Sequence, residues 1–233
     1  MALGDAGRPP VVLLHGWGGS YEASWVRHGW RDRLNAAGRQ VIGIDLLGHG
    51  AKPAIEDPEH YADIASAVEA ELPDGPLDIV GFSLGAKISL ELASRRSDRF
   101  RRMVLGGLGD GFFVAGDGVG LAQALEQGLT AEDRVIRAGL LSYMAEANIS
   151  HRGLAAVLRR PPNPIADIQA LGRIQSRILM VNGVNDPIAS PDDKLRAAVG
   201  NPGYVRLANV DHYSMPAQAS FLETAVQFLN EDP

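Results

Sequence analysis

The sequence contains no cysteine. That absence excludes a disulfide framework, thiolate metal sites, a cysteine nucleophile and thiol redox chemistry. No basic stripe is present either. The arginine pairs Arg95-Arg96, Arg101-Arg102 and Arg159-Arg160 are short and scattered, and the formal net charge is −6. We read them as solvated ends of helices and strands, which argues against a nucleic-acid partner. No stretch approaches the ~20 apolar residues of a membrane span, and Met1 to Pro10 lacks the apolar centre of a signal peptide. The expected location is the cytoplasm. His-Glu-x-x-His is missing, and no Gly-x-Gly-x-x-Gly follows a strand despite 27 glycines. Gly85-Ala86-Lys87 falls short of a phosphate loop, because Ala86 replaces the needed glycine and Ile88 the hydroxyl. The expectation is therefore no metal, nucleotide or organic cofactor.

What remains is ordinary globular material: 233 residues, 45% hydrophobic and 21% charged. A chain of this size buries roughly 70% of its unfolded surface and needs no staple. Six short apolar runs read as strands: Val11 to Leu14, Val41 to Asp45, Leu77 to Phe82, Met103 to Gly106, Ile178 to Val181, and the weaker Tyr204 to Leu207. Runs apolar on both faces suit a parallel sheet covered by helices. Helical patterns lie between them, at Tyr61 to Leu72, Leu84 to Ser94 and Ser214 to Leu229. Strand and helix alternating at short intervals imply an open α/β sheet.

Residues 108–172 break the alternation. Leu121 to Leu129 and Ala131 to Ala147 read as helices, the second opened by a Thr130-x-x-Asp133 start signal. Pro161-Pro162-Asn163-Pro164 ends whatever precedes it. The organisation expected is a core of residues 1–107 and 173–233, with a helical insertion at 108–172.

Gly81-Phe82-Ser83-Leu84-Gly85 follows an apolar strand and opens a helix, the context that the G-x-S-x-G motif requires. A nucleophile on so tight a turn leaves no room for side chains at the flanking positions. Serine is a weak nucleophile and needs a base held by an acid. Of the six histidines, His212 lies between the last strand and the last helix, at the sheet edge that carries Ser83. His28, His60 and His151 read as surface residues, and His15 and His49 as structural ones in Gly-flanked loops. Asp186 follows the fifth strand and is the first choice for the acid. Asp110, after the fourth strand, is the runner-up, and Asp211 is too close to His212 along the chain to face it. The order Ser83, Asp186, His212 is the one this motif carries.

His15-Gly16-Trp17-Gly18-Gly19, Asp45-Leu46-Leu47-Gly48-His49-Gly50, Gly81-Phe82-Ser83-Leu84-Gly85, Gly183-x-x-Asp186 and Asp211-His212 run from one end of the chain to the other. Together they make the sequence resemble an α/β-hydrolase-fold serine hydrolase, esterase-like, with a helical lid. The resemblance implies backbone N–H groups of Trp17 and Leu84 as the oxyanion hole, and 108–172 as the lid. It makes Trp17, Phe112, Phe113, Tyr143 and Met144 candidates for the pocket wall and leaves Lys87 outside it. Only ten residues precede Val11, so the two strands that usually open this fold are expected to be absent. That leaves about six parallel strands and an exposed edge that a homodimer would cover.

A serine rather than an aspartate at the nucleophile position argues against haloalkane or epoxide chemistry. The function expected is cleavage of a small carboxylic ester through an acyl-enzyme, with a small molecule as the substrate and no nucleic-acid or membrane partner. Hydrolysis of a C–C bond in a vinylogous diketone, thioester hydrolysis, acyl transfer and lyase chemistry are alternatives on the same fold. A ligand-binding receptor with vestigial hydrolysis is the non-enzyme alternative.

Overall fold

Six strands, β1 (Val11–Leu14), β2 (Val41–Ile44), β3 (Leu77–Phe82), β4 (Phe100–Gly106), β5 (Arg177–Gly183) and β6 (Gly203–Leu207), form one sheet. The computed structural model describes residues 8–114, 118–127, 144, 150–161 and 168–231. The strand order is β2-β1-β3-β4-β5-β6, and every pairing is parallel. All six strands occupy the apolar runs read from the sequence, and among the described residues the sheet consists of these six.

The runs are apolar on both faces because both faces are covered. Val12, Leu14, Ile79, Met103, Leu105 and Met180 face one cluster, which the helices α2 (Ile64–Glu69) and α3 (Leu84–Arg95) close. Val11, Leu13, Val80, Val104 and Val181 face the other, closed by Trp30 of α1 (Trp30–Ala36) and by the C-terminal helix. That helix, Ala219–Asn230, buries Phe221, Leu222, Ala225, Val226, Phe228 and Leu229. Each fully buried large apolar side chain contributes about 1.5–3 kcal/mol. The helix starts later than its apolar spacing predicts. A 3-10 turn at Met215–Ala217, with Pro216 in it, occupies the first residues, and proline cannot donate to a continuing α-helix.

Helices α4 (Val119–Gln127), α5 (His151–Arg159) and α6 (Ile168–Leu171) lie between β4 and β5. The helix expected at 131–147 and the Thr130 start signal lie outside the described residues, apart from helical Met144. Leu125, Met144 and Leu154 form a small apolar cluster that also touches Trp17 and Tyr213. Helix α7 (Asp193–Ala198) precedes β6, and the C-terminal helix is α8. Among the described residues no helix is long and apolar enough to cross a membrane.

One arginine expected in solvent is buried. Arg102 is only 2% exposed. Its guanidinium donates to the Glu231 carbonyl at 2.7 Å, so the start of β4 is tied to the end of α8. Beside it, buried Asp78 accepts from Arg39, from Arg101 at 3.1 Å and from the Arg102 backbone N–H at 3.0 Å. This ionic cluster sits at the N-terminal ends of the strands, opposite the site described next.

Candidate active site

The C-terminal ends of β3, β5 and β6 bring Ser83, Asp186 and His212 together. Ser83 occupies the turn between β3 and α3 with φ +52° and ψ −113°. A side chain held in that region costs about 1–3 kcal/mol, and the surrounding packing must enforce it. The flanking glycines explain how the turn fits. A Cβ on Gly81 would lie 2.6 Å from the Gly85 carbonyl oxygen, and one on Gly85 would lie 2.2 Å from that of Leu14. Neither backbone can move aside, so both positions exclude any side chain.

His212 is 5% exposed and Asp186 1%. The His212 Nε2 stands 3.0 Å from the Ser83 Oγ, and its Nδ1 stands 2.8 Å from the Asp186 Oδ2. A carboxylate accepts only, so Nδ1 carries the proton and Nε2 is left as the acceptor for the Ser83 hydroxyl. The second oxygen, Asp186 Oδ1, accepts from the backbone N–H groups of Ile188 and Ala189 at 2.9 and 3.0 Å. The carboxylate is thus fixed on both sides. Asn182 steadies the same region from the end of β5, exchanging hydrogen bonds with the Leu108 backbone at 3.0 and 3.1 Å.

The other candidates for the acid point elsewhere. Asp110 accepts from the backbone N–H of Leu195 at 2.9 Å and so caps α7. Asp211 accepts from that of Ser214 at 3.0 Å.

Trp17 and Leu84 line the same cavity as Ser83. Among the described residues, no protein group accepts from the backbone N–H of either. The Trp17 loop comes close because Gly16 has no side chain. A Cβ there would meet the Phe82 ring at 2.8 Å and the Ser83 Cβ at 3.3 Å. His15 holds this loop: its Nδ1 donates to the Gly16 carbonyl at 2.8 Å, and its Nε2 accepts from the Leu46 N–H at 3.0 Å. The His49 ring lies 5.2 Å away, with its Nδ1 donating to Leu47. Burial holds His49 neutral, its pKa pushed down to about 3, with the neighbouring His15 and Arg160 acting in the same direction. Burial also lowers His15. Both are structural, as the sequence implied. His60 and His151 are exposed and His28 is half-buried.

A cavity of about 150 Å³ opens beside Ser83, lined by Trp17, Leu84, Leu108, Phe112, Leu158 and Ile188 among others. The Trp17 indole belongs to the wall and also donates to the Leu154 carbonyl of α5 at 3.1 Å. Phe112 lines the cavity, but Phe113 is not among its lining residues; the Lys194 ammonium lies 4.3 Å from its ring centre. Tyr143 lies outside the described residues, and Met144 packs with Leu125 and Leu154. Two expectations are corrected here. Lys87, placed outside the pocket by the sequence reading, lines it, and so does Arg160, read as a solvated helix end. Lys87 lies four residues past Ser83 in α3, its N–H donating to the Ser83 carbonyl at 3.0 Å. The i, i+4 spacing that puts both on one helix face was visible in the sequence. Arg160 and Ile188 had no such local signal.

A strained serine at the first strand-to-helix turn after β3, a histidine at its hydroxyl and a buried aspartate behind the histidine make up the arrangement of a serine hydrolase. The family profile for the alpha/beta hydrolase fold matches residues 9–144, and the chain belongs to that family. A pimeloyl-[acyl-carrier protein] methyl ester esterase of Aromatoleum aromaticum is 32% identical over 205 residues, 88% of this chain and 72% of that protein. One of the same description from Neisseria meningitidis serogroup B is 39% identical over 98 residues, 41% of this chain. That match spans only 34% of the Neisseria protein's length. Among solved structures, the enol-lactonase from Burkholderia xenovorans LB400 superposes with a TM-score of 0.71 at 22% identity, covering 99% of this chain and 94% of that one.

Proposed function

We propose that this chain is a serine hydrolase that cleaves a small carboxylic ester by two-step acyl transfer, with Ser83, His212 and Asp186 as its triad. The observation that carries the reading is the unbroken hydrogen-bond chain from the Ser83 Oγ through His212 to Asp186, at 3.0 and 2.8 Å. His212 takes the Ser83 proton on Nε2 as the Oγ attacks the ester carbonyl. Asp186 holds the imidazole in the needed tautomer and stabilises the imidazolium. The oxyanion is received by the N–H groups of Trp17 and Leu84, helped by the N-terminal dipole of α3. His212 then returns the proton to the leaving alkoxide. Water repeats the steps in reverse and frees the acid.

The methyl ester named for the Aromatoleum and Neisseria relatives supports a small alcohol as the leaving group. Residues 108–172 act as the lid in this reading, with Trp17 linking the oxyanion loop to α5.

Hydrolysis of p-nitrophenyl esters from acetate to dodecanoate, with Ser83→Ala in parallel, tests the reaction. The expected result is turnover strongest at short acyl chains, with kcat reduced about 10⁴-fold or more in the variant. A folded Ser83→Ala protein that keeps substantial turnover removes Ser83 as the nucleophile.

A further inference from the structure

The paired part of β4 and β5 ends at Gly106 and Val181, and the Gly107 N–H adds one bond to the Val181 carbonyl at 3.0 Å. The next backbone bond between the two segments comes only at Asp110, whose N–H donates to the Pro191 carbonyl at 2.7 Å. The Asn182 side chain fills the gap. Its Oδ1 accepts from the Leu108 N–H at 3.1 Å, and its Nδ2 donates to the Leu108 carbonyl at 3.0 Å. A side-chain amide offers a donor and an acceptor as a peptide group does, so it continues the ladder past the end of the strands. The Nδ2 also donates to the Asp192 Oδ2 at 3.0 Å, and the Ala189 carbonyl stands 3.4 Å from it. Asn182 is 1% exposed, which shields these bonds from competing water.

Both sides of this amide lead to the triad. Leu108 lines the cavity beside Ser83. Its neighbour Gly107 backs the histidine: a Cβ there would lie 3.1 Å from the His212 Cε1. On the other side, the Ala189 N–H is one of the two that hold the Asp186 Oδ1. Asp192 closes the same loop and is itself held by the Tyr204 hydroxyl and by Arg196 at 3.0 Å. The two segments also touch directly, since a Cβ on Gly109 would lie 2.6 Å from the Ala189 carbonyl oxygen. Resting on the triad reading above, we propose that Asn182 is a positioning residue for the acid–base pair. Its amide sets the spacing between the segment behind His212 and the loop that aims Asp186. It bonds to neither of those side chains and acts through the backbone on either side. Without the amide, the buried Leu108 N–H and carbonyl lose their partners, and the segment relieves that cost by drawing away from β5. A displacement of about 1 Å in the reacting geometry is enough to slow catalysis about 10²-fold.

The test compares two variants. Asn182→Leu keeps the branched outline and removes every bond. Tyr204→Phe cuts the same network on the far side of Asp192. Steady-state hydrolysis of p-nitrophenyl acetate gives kcat and KM, and urea unfolding gives the loss of stability. Proton NMR follows the downfield resonance of the His212 Nδ1–H, assigned by its loss in Asp186→Asn. Asn182→Leu should lower kcat about tenfold to 100-fold, with KM within about threefold of wild type, and should shift or broaden the Nδ1–H resonance. Tyr204→Phe should lower the urea midpoint yet leave kcat within about threefold and the resonance in place. Asn182→Ser, whose hydroxyl can still donate one bond, should recover part of kcat, and it carries the test if Asn182→Leu does not fold. A folded Asn182→Leu or Asn182→Ser protein with wild-type kcat and an unmoved resonance overturns the proposal. So does a Tyr204→Phe protein that loses as much kcat, because the effect would then follow from lost stability. If the wild type turns over no ester, the resonance decides: its shift in Asn182→Leu keeps the positioning role, and the ester reading alone falls.

Discussion

Asp186 differs from the other acidic residues near the site in what its oxygens do. One accepts from the His212 imidazole and the other from two backbone N–H groups, so its direction is fixed before substrate arrives. Asp186→Asn keeps the shape but places an amide where Nδ1–H needs an acceptor, and the wrong tautomer follows. We expect kcat to fall about 10³- to 10⁴-fold with little change in KM. Asp110→Asn should leave kcat within about tenfold of wild type, because Asp110 caps α7 through Leu195. The comparison is made by steady-state kinetics on the two variants, and a larger loss in Asp110→Asn would reassign the acid. Ser83, Asp186 and His212 were legible in the sequence because each follows a strand, and strand ends in a parallel sheet share one edge. Lys87 was legible only through its helical spacing from Ser83. Arg160 and Ile188 were not, since tertiary packing alone brings the end of α5 and the Asp186 loop to the cavity.

The turn that presents Ser83 depends on close backbone contact between α3 and the end of β1. A methyl on Gly85 would stand 2.2 Å from the Leu14 carbonyl oxygen, whereas one on Gly172 meets nothing nearer than 3.7 Å. Gly85→Ala should therefore destabilise the fold by about 1–3 kcal/mol or more. Gly172→Ala should stay within about 0.5 kcal/mol of the parent. Urea unfolding at constant slope reads both differences, and equal midpoints would mean that β1 and α3 yield more easily than their spacing implies. The same packing shows which elements a sequence reveals. Strands apolar on both faces announce themselves, and so do α3 and α8, each of 12 residues. Helix α1, of seven residues, buries only Trp30 and Leu34, too few apolar positions to set a period. Helix α7 buries one residue, Leu195. The late start expected for β4, at Met103 instead of Phe100, arose because Arg101 and Arg102 read as solvent-facing, while Arg102 is drawn inward by the Glu231 carbonyl.

At the scale of the molecule, two imidazoles buried beside the loop that carries Trp17 make stability depend on pH. His49 is held neutral with its pKa near 3, and His15 is also lowered, burial being the largest cause in both. In the unfolded chain each returns to about 6.5. Below that value the unfolded state binds protons that the folded state refuses, so stability is fully present above pH 6.5 and falls as the pH drops toward 3. Each histidine adds a slope of up to about 1.4 kcal/mol per pH unit. Between pH 7 and 5, where the folded protein keeps His49 neutral, His49 alone accounts for about 2 kcal/mol. Removing the ring should remove that share of the slope, whatever else it does to stability at neutral pH. Urea unfolding of the wild type and of His49→Gln at pH 7 and pH 5 measures it. The variant should lose about 2 kcal/mol less over the interval. An equal loss in both proteins would mean that His49 does not refuse the proton when folded, and the acid sensitivity would then belong to His15 or to the carboxylates. Because His15 also anchors the Gly16 carbonyl and the Leu46 N–H, its protonation would disturb the loop that carries Trp17, so ester turnover should decline over the same range in which the fold weakens.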